Sequence, residues 1–556
     1  MGLYAAMNGL RHRAIRLSGW RRFGLAFLLG ALADLSFAPF HLVPVWLVSI
    51  TGLLWLLEGA GRLHTRLWIG WAFGWGHFIF GLYWIGSAFL VEPEKFAWLL
   101  PFPVLGLPAL LALFPMAAIA ATGWYMARAT GGRRLLVPLM LAAAWVAAEL
   151  VRGTVLTGFP WNLAGYGFGF HPAAMRPAAW IGAQGLSLIV IAAAAAPWLV
   201  SGCCIDGLQR QARQMAVVLL ALPVLLVGGG MLFAGGPESD RSATTLRVRV
   251  VQANIAQKDK WRRDLMGANF HEQLRMSLAG DGGRGVDIVI WPETAATFLL
   301  SEVPAARQQL GAVAASLNGG QGGLVIVGAP RVERGSAGET DRFYNSAVAI
   351  DSRGQIVATV DKHHLVPFGE YLPARNLLQQ IGLDKLAQGR GDFVPGPAGG
   401  MLDLPGIGPA RVLVCYEAIF PVEAMVAGGV GRGAGLPVDG NPGWLLNLTN
   451  DGWFGGLTGP DQHFAMARFR AVEQRRPLIR AAGTGISAII DADGQIVAAV
   501  GLQKKGVIDG EIGRITSKSF YASWRNLPLI TLVVGILAVL SGCTVWSAIR
   551  HRPPKS

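Results

Sequence analysis

The sequence predicts a multi-pass α-helical membrane domain of about eight spans joined to an α/β domain outside the lipid. Three observations carry that expectation. The chain has 556 residues, a mean hydropathy of +0.42 and only 15% charged residues, which is too apolar for a water-soluble protein. Its long apolar stretches are confined to residues 23–236 and 527–549. Between them, over 246–525, short apolar runs alternate with helical patterns in an ordinary polar mix.

A helix crosses a bilayer with about 20 apolar residues. Seven stretches precede the polar block, at about 23–38, 42–60, 67–89, 104–127, 135–151, 179–200 and 215–234, and one follows at about 527–549. The basic N-terminus leads into the first without a small-residue cleavage site, which reads as a retained signal anchor. With that end in the cytoplasm, fifteen basic residues fall inside: Arg11, Arg13, Arg16, Arg21, Arg22, Arg62, Arg66, Arg128, Arg133, Arg134, Arg210, Arg213, Arg550, Arg552 and Lys555. Only Lys95, Arg152 and Arg176 fall in the short outer loops. This asymmetry places both termini inside and the polar block outside. The expected domains are a membrane domain over 1–236, a catalytic domain over 245–515 and a closing helix over 525–550.

The same asymmetry explains the net charge of +14. Residues 245–525 hold 29 Lys+Arg against 26 Asp+Glu, a net of +3, so the remaining +11 belongs to the membrane half. No basic stripe interleaved with aromatics is present, which excludes a nucleic-acid partner. Of four cysteines, Cys203, Cys204 and Cys543 lie at the ends of apolar stretches and read as small apolar fillers. Cys415 has no partner cysteine in the polar block. Carboxylates in or beside the spans, Asp34, Glu58 and Glu149, are costly in lipid and mark Asp34 above all as a candidate substrate contact.

Within the polar block, strands are expected at Arg247–Ala253, Asp287–Trp291, Gly323–Gly328, Ser346–Ile350, Gln355–Val360, Arg411–Val414 and Trp444–Leu448. Helices are expected at His271–Ala279, Ala305–Leu317 and Phe464–Gln474. An internal echo pairs Ala347–Ala358 with Ser487–Ala498, each reading as a hairpin with Asp at the turn entry and Gly where positive φ is needed. The echo predicts two similar sheets. The Gly-rich stretch 428–443 reads as a mobile loop.

Three strand-like runs each close on a reactive group: Glu293 in Trp291-Pro292-Glu293-Thr294-Ala295, Lys362 in Asp361-Lys362-His363-His364, and Cys415 in Val414-Cys415-Tyr416-Glu417. A neighbouring ammonium lowers a thiol's pKa. Glu293 is the candidate general base, taking the thiol proton and later that of an incoming nucleophile. Lys362 and the backbone N–H beside Cys415 are candidates to stabilise the tetrahedral oxyanion. The product is a thioester, and the next nucleophile decides between hydrolase and transferase. The paired His363 and His364, on a strand, would face opposite ways, which argues against a metal site.

Glu, Lys and Cys in this order, within WPETA, DKHHLVPFGEYLP and VCYE, resemble the nitrilase superfamily. The resemblance implies an αββα sandwich. Together with the membrane half and the stretches Val251-Gln252-Ala253-Asn254-Ile255, Gly158-Phe159-Pro160-Trp161 and Asn450-Asp451-Gly452-Trp453-Phe454-Gly455, it extends to the membrane-embedded lipoprotein N-acyltransferase branch. That branch implies a bacterial inner-membrane enzyme, without cofactor or metal, read here as a monomer. It takes an acyl chain from a phospholipid onto the cysteine and passes it to the α-amino group of a lipoprotein's N-terminal S-diacylglyceryl cysteine. By motif match Cys415 is the nucleophile, Glu293 the base and Lys362 the oxyanion-stabilising cation, with Glu370 a supporting carboxylate and Tyr416 and Glu417 neighbours of the nucleophile. Because each CH₂ drawn into water costs about 0.8 kcal/mol, such an enzyme needs an apolar entrance. Trp261, Trp444, Trp453 and Phe454 are the candidates to line it. The alternatives are a membrane-tethered amidase or ester hydrolase with the same triad, and a transporter or scaffold bearing an inactive domain.

Overall fold

A computed structural model describes residues 2–201, 207–232, 241–336, 340–380, 392–421, 442–515 and 517–550. The chain forms two compact units, Met1–Gly86 with Trp98–Ala234 and Ser523–Ser556, and Ser87–Ala97 with Gly235–Ala522. Cys203, Cys204 and most of the Gly-rich stretch lie outside the described residues.

The first unit is helical. Helices cover much of every apolar stretch, among them Gly19–Ala33, Val45–Glu58, Leu63–Leu82, Val137–Arg152, Ala178–Ala194, Gln209–Leu232 and Leu527–Arg550. Among the described residues, four continuous helical segments are long and apolar enough to cross a membrane: Pro93–Arg128, Gly131–Arg152, Ala178–Val200 and Gln209–Leu232. Glycine sets how closely these helices approach. A Cβ on Gly30 would lie 1.9 Å from the carbonyl of Phe73, and one on Gly76 would lie 2.1 Å from that of Phe27. Backbone therefore meets backbone where Gly19–Ala33 crosses Leu63–Leu82, as small residues permit in lipid.

Each intramembrane carboxylate is held inside this unit. Asp34 Oδ1 accepts from Asn162 Nδ2 at 3.3 Å, Glu149 Oε1 from Trp145 Nε1 at 3.0 Å and the amide of Ala164 at 2.9 Å, and Glu58 from Arg11 Nε at 2.8 Å and Trp198 Nε1 at 3.2 Å. Arg152 donates to the carbonyls of Phe159 and Trp161, both at 2.6 Å, and so pins the Gly158–Trp161 turn. Asp34, a candidate substrate contact in the sequence, thus has Asn162 as a hydrogen-bond partner within the unit.

The second unit is a four-layer αββα sandwich. One sheet has the order β12-β1-β2-β3-β4-β5, built from β1 (Arg241–Gln252), β2 (Ile288–Ile290), β3 (Leu324–Glu333), β4 (Arg342–Ile350), β5 (Ile356–Asp361) and β12 (Gly506–Ile515). The other has the order β11-β10-β9-β8-β7-β6, built from β6 (Met401–Leu404), β7 (Gly408–Val414), β8 (Trp444–Thr449), β9 (Leu478–Ala482), β10 (Ser487–Ile490) and β11 (Ile496–Val500). Val250, Ile290 and Ile326 of the first sheet pack against Val412, Leu446 and Ile479 of the second in one apolar core. The outer face of the first sheet is covered by helices Arg263–Ser277 and Pro304–Ser316, and that of the second by Thr458–Gln474. The central strands are buried on both faces, which is why they read as unbroken apolar runs.

The echoed hairpins are β4–β5 and β10–β11, at the edges of the two sheets. Asp351 Oδ1 accepts from the amides of Arg353 and Gln355, and Asp491 Oδ1 from those of Asp493 and Gln495. Gly354 and Gly494 supply φ of +73° and +81°. The core differs from the sequence reading at Trp444, which is fully buried between the sheets and so lines no entrance. His363 and His364 follow β5 in a loop instead of extending the strand.

Replacing Leu446, fully buried at the centre of the inter-sheet core, by alanine is expected to cost about 2–5 kcal/mol. Thermal unfolding of the detergent-solubilised chain checks this, and a loss below about 1 kcal/mol contradicts the packing described.

Candidate active site

Glu293, Lys362 and Cys415 stand where β2, β5 and β7 run out, and the sandwich brings those three strand ends together. All three side chains are buried. Lys362 Nζ lies 4.0 Å from Glu293 Oε1 and 2.8 Å from Glu370 Oε2, and the charges of Glu293 and Lys362 both act on the Cys415 thiol. Two of these turns need left-handed backbone. Cys415 has φ +51° and opens a tight turn over Cys415–Ile419, while Thr294, next to Glu293, has φ +46°.

Other side chains hold this geometry. Glu417 Oε2 accepts from the amide of Val414 at 2.7 Å, and its Oε1 from those of His363 and His364 at 2.8 and 2.9 Å. One carboxylate thus ties the cysteine turn to the loop that follows Lys362. Asn345 Nδ2 bridges Glu293 Oε1 at 2.7 Å and Glu370 Oε1 at 2.9 Å, and the amide of Val366 donates to Glu370 Oε2 at 2.8 Å. Lys260 Nζ donates to the Glu293 carbonyl at 2.8 Å. Among the described residues nothing donates a hydrogen bond to the buried Glu293 Oε2. Behind it, Gly328 has no room for a side chain, since a Cβ would lie 2.4 Å from the Pro292 carbonyl and 2.6 Å from Glu293 Cα.

The electrostatics bear out the expected pull of the ammonium on the thiol but outweigh it. Burial, then the Glu293 carboxylate, push the Cys415 thiol up to about 12, and the Lys362 ammonium and the Thr449 hydroxyl only partly oppose them. The ammonium lowers the thiol's pKa as anticipated, but desolvation outweighs it. Burial also disfavours the Lys362 ammonium, yet the carboxylates of Glu370 and Glu293 more than reverse this and hold it above its ordinary value. Burial brings Lys260 down to about 8 against the opposing pull of Glu293 and Cys415. At neutral pH the resting thiol is therefore protonated.

Tyr416 is buried, its phenol pushed up by burial, and its ring meets His364 and Phe420 edge-on. Trp261 and Trp453 are half-buried. Five residues of the site escaped the sequence reading. Asn345 left a faint signal as a polar residue in an apolar strand, and Lys260 adjoins Trp261. Thr449, His463 and Arg480 left none, because they reach Cys415 or the Asp451 carboxylate only through the packing of β8, β9 and the helix Thr458–Gln474. Among the described residues, no group of three or more His, Cys, Asp or Glu is placed to hold a metal ion.

Known proteins share both halves of this arrangement. A carbon-nitrogen hydrolase family model matches residues 247–520, and an apolipoprotein N-acyltransferase N-terminal domain model matches 29–196. An apolipoprotein N-acyltransferase of Rhodopseudomonas palustris is 38% identical, with 97% of each chain covered. One of Brucella suis is 40% identical over 97% of this chain and 99% of its own, and one of Agrobacterium fabrum 37% over 96% and 99%.

Because the thiol is protonated at rest, alkylation of Cys415 by iodoacetamide is expected to be slow at neutral pH. Its rate should rise about tenfold per pH unit between about pH 7 and 10. Peptide mass spectrometry follows this, and a plateau below about pH 9 would contradict the buried neutral thiol. Gly328→Ala is expected to displace the Glu293 backbone, lowering turnover at least about tenfold and stability by about 1–3 kcal/mol. Wild-type turnover in that variant, measured beside its melting temperature, would remove Gly328 from the argument.

Proposed function

This chain belongs to the apolipoprotein N-acyltransferase family, and from that premise we propose how its residues perform acyl transfer in lipoprotein maturation. The donor is a phospholipid. Glu293 Oε2 takes the Cys415 proton as Sγ attacks the donor's ester carbonyl. The resulting oxyanion is met by the Lys362 ammonium and a backbone N–H at the cysteine turn; losing one such donor costs about 10²–10³ in rate. The ester C–O bond then breaks, Glu293 returns the proton to the departing lysophospholipid oxygen, and the acyl group stays on sulfur as a thioester. In the second half the α-amino group of the lipoprotein's diacylglyceryl cysteine attacks that thioester. Glu293 takes the amine proton and delivers it to the departing thiolate, which restores the resting site.

The observation that carries this reading is the buried Glu293 carboxylate, with one oxygen held by Asn345 and the other without a partner, beside a protonated thiol and a paired ammonium. Moving a proton from thiol to carboxylate changes no net charge among these buried side chains, so the nucleophile forms without isolating an ion. Glu370 keeps Lys362 charged, and Glu417 holds the cysteine turn. Trp261 and Trp453 line the acyl entrance. Water is a poorer acceptor reading, because relatives matching this chain end to end are acyltransferases.

The charge asymmetry of the loops supports about eight spans in the bacterial inner membrane, seven before the catalytic domain and one after it. Both termini are then cytoplasmic, the domain over 245–515 is periplasmic, and the enzyme acts as a monomer.

Intact-mass measurement of the purified chain with phospholipid is expected to show one added acyl group on wild type and none on Cys415→Ala. Neutral hydroxylamine and a diacylglyceryl-cysteine peptide should each discharge it. An unmodified wild type, or discharge by water as fast as by peptide, defeats the proposal. Glu293→Gln is expected to remove the adduct, and Glu370→Gln to slow its formation by at least about tenfold.

A further inference from the structure

Two side chains clamp the turn that carries Glu293. Gln273 Nε2 donates to the Ala295 carbonyl at 3.0 Å, and Lys260 Nζ to the Glu293 carbonyl at 2.8 Å. Both donors are buried. Between the two carbonyls stands Thr294, whose φ of +46° is one a β-branched residue keeps only under constraint. The segment Gln257–Lys260 is itself tied at its other end, where Gln257 Oε1 accepts from Asn450 Nδ2 at 2.8 Å. Its seat therefore does not depend on the lysine alone.

Gln273 shows that such a hydrogen bond needs no charge. An amide satisfies a buried carbonyl, whereas taking an ammonium out of water costs several kcal/mol. Among the described residues the Lys260 ammonium makes one hydrogen bond, and its acceptor is neutral. A lysine here needs a negative charge to balance it, and the site holds one. Lys362 is paired with Glu370 at 2.8 Å and stands 4.0 Å from Glu293, so one ammonium faces two carboxylates. Glu417, the other buried carboxylate beside the cysteine, is met by three backbone amides, and Asp451 by Arg480 and His463. Lys260, held on the backbone of Glu293 itself, brings the set to two ammoniums and two carboxylates. Burial lowers Lys260 to about 8, still above neutrality, so its charged form prevails.

We propose that Lys260 is a positioning residue of the transfer reaction, whose ammonium fixes the turn of the base through the Glu293 carbonyl and supplies the second positive charge of the buried site. It touches no reacting atom and gives up no proton. When Glu293 takes the thiol hydrogen, negative charge passes from carboxylate to sulfur and then to the oxyanion, all within the site. The Lys260 charge is therefore compensated at every stage, and the carbonyl it holds keeps the base in place as that charge moves.

The inference rests on Glu293 as the base. Its test follows acylation of the full-length purified chain by intact mass over a range of phospholipid concentrations, with melting temperatures, for wild type, Lys260→Gln and Lys260→Arg. Glutamine keeps a donor for the carbonyl and drops the charge. Its saturating rate is expected to fall at least about tenfold, with the half-saturating phospholipid concentration unchanged. Arginine keeps the charge and should return to within about threefold of wild type. Glutamine at the wild-type rate overturns the proposal, because the hydrogen bond then suffices. Arginine as slow as glutamine overturns it too, since charge is then not what is missing. So does a raised half-saturating concentration at an unchanged saturating rate, which would make Lys260 a contact of the phospholipid. Should the glutamine variant not fold, Lys260→Met, which keeps the length of the apolar stem, is read by the same criteria. Acyl adduct on Glu293→Gln would defeat the base assignment instead, whatever the Lys260 variants show.

Discussion

The buried ammonium of Lys362, paired with Glu370 at 2.8 Å, is the interaction on which the rest of the site depends. An isolated charge in such surroundings is untenable, and breaking a buried pair typically costs about 3–5 kcal/mol. Glu370 meets that need without spending Glu293, which stands 4.0 Å away with one oxygen unbonded. Asn345 bridges the two carboxylates and fixes their separation, with Glu370 the one closely engaged by the cation. With Lys362 and Glu370 balanced, an extra negative charge on sulfur is opposed by Glu293, and this opposition adds to burial in keeping the thiol neutral at rest.

Positioning follows from strand ends and not from the strands themselves. Parallel strands buried on both faces leave their polar termini as the place where side chains converge, and β2, β7 and β8 deliver Glu293, Cys415 and Thr449 there. The left-handed backbone at Thr294 and Cys415 turns each chain sharply as it leaves its strand. Such conformations persist only where neighbours over-determine them. Here Glu417 binds three backbone amides across two segments, and Gly328 lets β3 pass against the backbone of Glu293. The same rule governs the helical unit, where Gly30 and Gly76 admit backbone contact and Asp34, Glu58 and Glu149 each take hydrogen bonds from partners within the unit.

Much of this was legible in residue order. The span-like stretches stand out because lipid demands long apolar runs, and the hairpins at Asp351 and Asp491 because a turn demands a short polar side chain followed by glycine. Glu293, Lys362 and Cys415 were recognisable since each closes an apolar run with a group that has little reason to be there. Less legible were β6, β9 and β12. They complete the two sheets at positions where the pattern is short, or, in β12, broken by Gly510 and by charges at Asp509 and Glu511. Trp444 shows the limit from the other side: an aromatic near the site looks like a lipid contact in sequence and is core filling in the fold.

The sequence by itself determined the division into an apolar helical half and an α/β half, the turns of two hairpins and the three polar groups that close apolar runs. These are set by composition, periodicity and local backbone chemistry, all of which act within a few residues. Tertiary structure alone decided that the thiol rests protonated, that Glu370 and not Glu293 pairs closely with Lys362, and that Asn345, Lys260, Thr449 and the Asp451–His463–Arg480 cluster belong to the site. Protonation and pairing depend on desolvation and on distances between residues far apart in the chain, and neither quantity exists until the two sheets have closed on each other.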